Sequence, residues 1–172
     1  MAGDEKDKSI EHVRHKPPTA LERPRELILA CPQFNSNVNV SRIVRLLGCC
    51  AVTRMIVSGR NKIDPDIARD AIQAVQLETR SSLPPVLKRL AADGYRIVGL
   101  EQTNCSQDLM QYRFERRTVL VLGSERQGIT PDVLACLHDS VEIPVWGMPY
   151  SYNVATAATM AVYEYCRQFP KG

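Results

Sequence analysis

Apolar residues recur along this chain in two alternating rhythms. Short, nearly continuous apolar runs occur at ELILAC (26–31), TRMIVSG (53–59), YRIVGLE (95–101), RTVLVLGSE (117–125) and DSVEIPV (139–145). Runs of this kind predict strands buried on both faces. Segments with helical spacing lie between them. In NVSRIVRLLGCCA (39–51), Val40, Ile43, Val44 and Leu47 fall on one face. Asp64 and Pro65 supply an N-cap and a first-turn proline for a helix over 64–75. SLPPVLKRLAADGY (82–95) predicts a helix closed by Gly94, TPDVLACL (130–137) a capped one with Pro in its first turn, and about 153 to 168 the last. Alternation of this kind predicts an α/β fold, a mostly parallel sheet flanked by helices.

Residues 1–24 break the rhythm. They are polar and proline-bearing, with no apolar period, and predict a mobile charged tail ahead of one domain over 25–172. His12 and His15 lie in this tail and read as solvated side chains. A hydrophobic share of 44% suffices for a real core, so the chain is neither disordered nor fibrous. A net charge of +3 permits a nucleic-acid partner without demanding one. There is no apolar run of membrane-spanning length and no leader-like segment, so a cytoplasmic protein is expected. The six cysteines form no CxxC pair, so they are expected to be reduced thiols, and no metal site is expected.

Ligands of open parallel sheets bind beyond the carboxyl ends of the strands. Three predicted strands end in unusual loops: LEQTNCSQ after Leu100, GSERQGI after Leu122, and PVWGMPYSYN after Ile143. Neighbouring strands would bring these loops to one pocket. The common phosphate cradles are missing. GSERQG is not GxGxxG, and Ile129 stands where a P-loop requires Lys. Its glycines serve a tight turn or a close backbone approach. Taken singly, Glu125 reads as a solvated charge, Ser151 as an N-cap for the last helix, and Asn153 as a turn residue.

Together these segments form a recognisable set. LVLGSERQGI (120–129) and IPVWGMPYSYNVATAA (143–158) resemble motifs two and three of the SpoU, or TrmH-like, RNA 2'-O-ribose methyltransferases of the SPOUT superfamily. NVSRIVR (39–45) looks like their first motif, Asn-x-Gly-x-x-x-Arg, with Ser41 in place of Gly; Tyr152 replaces the usual Leu of the third, and Cys50 and Ala51 replace a common Phe-Gly.

The resemblance implies a C-terminal deep trefoil knot, S-adenosylmethionine as cofactor without a metal, and RNA as partner. It also implies a homodimer, with Ala155, Thr156, Ala157, Ala158 and Ala161 allowing close approach near the knot and the partner subunit. It places Leu100, Glu101, Leu122, Gly123, Ile143, Met148, Ser151 and Tyr152 around the cofactor. It makes Arg45 the catalytic candidate, supported by Asn39, Glu125, Ser151 and Asn153. Arg is a reluctant base, with a free pKa above about 12, so phosphate anchoring suits Arg45 better than proton abstraction. Arg42, Arg54, Arg60 and Lys62 would extend a phosphate track. The expected substrate is tRNA rather than ribosomal RNA, because the chain looks like a compact member of the family. A ribosomal-RNA methyltransferase and a non-catalytic RNA-binding protein retaining the fold are the alternatives.

Overall fold

The structure, a computed structural model, describes residues 10–172. Most of the predicted tail, residues 1–9, lies outside the described residues. Residues 10–20 are exposed. From there the chain is tied down. Glu22 N–H donates to the Lys171 carbonyl (2.9 Å), and Arg25 Nε donates to the Cys50 carbonyl (2.8 Å).

Seven strands form a single parallel sheet: β1 (Leu27–Pro32), β2 (Arg54–Ser58), β3 (Gln76–Arg80), β4 (Arg96–Leu100), β5 (Gln107–Asp108), β6 (Thr118–Leu122) and β7 (Asp139–Glu142). Their spatial order is β3-β2-β1-β6-β4-β7-β5. The helices are α1 (Asn37–Cys49), α2 (Pro65–Ala68), α3 (Ala71–Ala74), α4 (Pro84–Ala92), α5 (Pro131–Leu134) and α6 (Val154–Gln168).

Side chains alternate across each strand, so the sheet has two apolar faces. On β1, Leu27, Leu29 and Cys31 join one core with α1 and α6, while Ile28 and Ala30 join another with α4 and α5. Burial on both faces is why the strands read as continuous apolar runs.

The sequence reading departs from the structure in three places. The helix expected over 64–75 is two short helices. Asp64 and Pro65 cap α2 as expected, but Arg69 takes φ +55° and ends it. β3 was not expected, because QLETR is an edge strand whose side chains stay exposed or half-buried. β5 is only two polar residues long, too short for a periodic signal.

Three of the small residues of α6 pack within this chain. Ala155, Ala158 and Ala161 recur every three residues and are buried in the core shared with α1. Thr156, Thr159 and Tyr163 face outward.

Candidate functional site

β4, β6 and β7 are adjacent in the sheet, so the loops after Leu100, Leu122 and Glu142 meet at its carboxyl edge. They enclose a cavity of about 440 Å³. That is ample for a nucleoside-sized ligand, since such sites span roughly 300–1,000 Å³. Leu100, Leu122 and Ile143 give apolar walls, and Ser151 and Tyr152 close one side. Met148 does not line the cavity; its side chain is 73% exposed.

The loop after β6 explains its own glycines. Gly128 has φ +64°, and Ser124 and Gly128 exchange backbone hydrogen bonds (2.9 and 3.1 Å) that close a tight turn. A Cβ on Gly123 would come within 2.5 Å of the Gly128 carbonyl carbon. Only glycine at both positions lets the turn fold back on β6. Glu101 locks the turn from β4: one carboxylate oxygen accepts the Ile129 N–H at 2.9 Å, and the other the Gln102 N–H at 3.2 Å.

Beside the cavity the three quoted motifs meet in one chain of hydrogen bonds. Asn153, not Ser151, is the N-cap of α6, and its Oδ1 accepts from the N–H groups of Ala155 (2.9 Å) and Thr156 (3.4 Å). Its Nδ2 donates to Asn39 Oδ1 at 3.2 Å. Asn39 Nδ2 donates to Glu125 Oε1 at 3.1 Å. Glu125 also accepts the N–H groups of Asn35 (3.1 Å) and Ser36 (3.3 Å). Ser36 in turn caps α1.

Burial alone would push the Glu125 pKa up. The donors from Asn35, Asn39 and Ser36 outweigh it and hold the carboxyl below its usual range. Glu125 is therefore an anionic clamp that fixes two helix ends, and it does not take up a proton near neutral pH. Ser151 carries no hydrogen bond among the described residues and is left to a ligand.

Arg45 stands apart. It is exposed on α1 and does not line the cavity. Six residues of helix carry it about 9 Å along and about 120° around the axis from Asn39. Ser41, at the departure from the first motif, is fully buried. Its hydroxyl donates to the Asn37 carbonyl (2.6 Å) and accepts the Asp64 N–H (2.8 Å), stapling α1 to α2. Lone serines carry no sequence signal for such a staple. His138 Nδ1 accepts the Ile97 N–H at 2.9 Å, and no histidine lines the cavity among the described residues.

Residues 26–163 match the profile of the SpoU rRNA Methylase family, and the chain belongs to that family. A mouse tRNA (guanosine(18)-2'-O)-methyltransferase is 42% identical over 88 residues, which is 51% of this chain and 6% of the mouse protein. The Escherichia coli K12 tRNA (guanosine(18)-2'-O)-methyltransferase is 27% identical over 149 residues, 85% of this chain and 65% of that protein. The chain thus spans less than two thirds of either relative. The crystal structure of the Aquifex aeolicus TrmH/SpoU tRNA modifying enzyme superposes with a TM-score of 0.82 at 26% identity, covering 88% of this chain and 79% of that one.

Proposed function

We propose that this protein transfers a methyl group from S-adenosylmethionine to a ribose 2'-oxygen of RNA, with tRNA as the favoured substrate. The single observation that carries the reading is the convergence of three strand-end loops on one cavity beside the Glu125–Asn39–Asn153 chain. The names of the relatives favour tRNA over ribosomal RNA.

The cavity suits the cofactor on chemical grounds. Leu100, Leu122 and Ile143 offer apolar surface to an adenine ring, and backbone groups at the strand ends supply polar contacts. Glu101, Glu125 and Glu142 put negative charge around the cavity, which favours a sulfonium. When bound, S-adenosylmethionine supplies an electrophilic methyl whose departure leaves a neutral thioether. The acceptor hydroxyl gives up its proton as the O–C bond forms.

Glu125 is saturated with donors, and the neighbouring amides are not bases, so in the proposed arrangement the hydroxyl proton leaves to solvent water. Arg45, a guanidinium, supplies positive charge and not a base. In the proposed arrangement its guanidinium grips the phosphate beside the acceptor ribose and stabilises the developing alkoxide. Its exposure on α1 suits a group that meets RNA at the surface, from its own chain or from the second copy of a homodimer. We also read the C-terminal segment as the family's knot. The insertion of β6 between β1 and β4 and the return of α6 onto α1 support it.

Purified protein incubated with methyl-labelled S-adenosylmethionine and total RNA is expected to label RNA, and Arg45→Ala to lower labelling by about 10²–10³-fold while cofactor binding persists. Absence of transfer by the wild-type protein would contradict the reading.

A further inference from the structure

A second cavity, of about 540 Å³, opens on the other side of the loop after β6. It lies at the carboxyl ends of β1, β2 and β3, and the 123–129 turn is the partition between the two cavities: Leu122, Ser124, Arg126 and Gly128 line both. The floor is apolar. Leu83, Ile129 and Val133 are each 7% exposed or less. The rim is polar and uncharged, made by the Gln33 and Asn35 amides and the Ser58 and Ser81 hydroxyls.

Arg126 lines the cavity, Arg60 follows its wall residue Gly59 in the sequence, and Lys62 lies two residues further on. All three are exposed, and none takes part in an ion pair among the described residues. An apolar floor, lining amides and hydroxyls that both donate and accept, and unpaired cations in the lining and next to it in sequence match the three parts of a nucleotide: base face, base edge and phosphate.

We propose that this cavity takes the base of the acceptor nucleotide, turned out of its strand, while Arg60, Lys62 and Arg126 hold the flanking phosphates. The inference rests on the methyltransferase reading for its substrate and on the shared partition for its geometry. A base seated here places its ribose over the 123–129 turn, so that the 2'-oxygen faces the donor cavity. Removing a base from its stack costs a few kcal/mol, which the buried floor and the rim hydrogen bonds offset. Gln33, Asn35, Ser58 and Ser81 then select the nucleotide, while the cations fix its register.

Two measurements on the full chain test this. In the first, guanosine 5'-monophosphate is titrated into the labelled protein and amide shifts are followed. Saturable shifts are expected at residues 33–35, 58–59 and 81–83, and they should vanish in Ser81→Trp, an exposed loop position where the indole fills the cavity. Shifts absent from these segments would overturn the proposal, whether or not the protein methylates RNA.

In the second, methyl transfer to an unmodified tRNA transcript is compared between wild type, Gln33→Ala and Ser81→Trp, with S-adenosylmethionine affinity and thermal melting as controls. The expected result is a loss in kcat/KM of about 10- to 100-fold, with cofactor affinity unchanged. A kcat/KM within about twofold of wild type in folded Ser81→Trp would overturn it. Nucleotide shifts at the cavity without any transfer by the wild type would remove the methyltransferase reading and leave the nucleotide site standing.

Discussion

Asn39 and Arg45 leave the same helix less than two turns apart and meet different surroundings. Asn39 is buried, with both ends of its amide engaged by Asn153 and Glu125. Arg45 is exposed, with no hydrogen bond or ion pair among the described residues. The first builds the site: it joins the start of α1 to the start of α6 and to the loop after β6. The second has nothing to build in the folded chain, so its use lies with a ligand. A polar residue saturated by its own protein positions other groups. A guanidinium left in water with no partner is available to a phosphate.

The largest predicted effect comes from breaking the exposed side of this pair. Arg45→Ala is expected to lower methyl transfer by about 10²–10³-fold with S-adenosylmethionine affinity unchanged, because its interaction arises only with RNA. Calorimetry and single-turnover kinetics on the same sample check it. A parallel loss of cofactor affinity would mean that Arg45 positions the donor cavity.

Asn39→Ala sits next. It removes a buried amide bonded on both sides and should cost about 1–2 kcal/mol of stability, read by urea denaturation. A double-mutant cycle sharpens the contrast. Asn39→Ala and Asn153→Ala should couple by about 0.5 kcal/mol or more, and Arg45→Ala should be additive with either.

Acid is a milder probe of the saturated groups. Arg96, donating through Nε (2.7 Å) and Nη2 (2.9 Å), holds the Asp139 carboxyl below its usual range, with Tyr112 donating as well at 2.7 Å. Arg54 does the same for Glu78. Glu125 is lowered too, its burial being outweighed by the donated N–H groups. Carboxyls depressed in the folded state contribute stability that is complete above their unfolded pKa and is lost as pH falls below it. The melting temperature is therefore expected to hold from neutral pH to about pH 5 and to drop below about pH 4. A melting temperature flat down to pH 3 would show that these pairs contribute nothing.

The smallest effect is expected at Met148. It is exposed and does not line the cavity, so Met148→Ala should change cofactor affinity by less than about twofold, while Tyr152→Ala, in the wall, should weaken it several-fold. Equilibrium titration distinguishes the two.

What the sequence made legible follows the same division. Buried parallel strands announce themselves, because both faces must be apolar; β2, β4 and β6 fell within their predicted runs, and β1 overran its own by Pro32. β3 and β5 did not, since edge strands carry polar side chains. Asp64 and Pro65 marked the start of α2, but nothing in IARDAI marks the left-handed turn at Arg69. The strand-end loops pointed to one cavity, and the sheet order brings them there. In the Glu125–Asn39–Asn153 chain the two bonded amides lie 114 positions apart, and no local pattern encodes a contact of that reach. The swap of capping duty from Ser151 to Asn153 was likewise invisible, because either residue type serves at an N-cap.

The account stands most directly on where a transferred methyl ends up. An unmodified tRNA transcript incubated with the protein and isotopically labelled S-adenosylmethionine, digested to nucleosides and analysed by mass spectrometry, should yield a nucleoside carrying the label on its ribose. Label on a base, or transfer undiminished in Arg45→Ala, would contradict it.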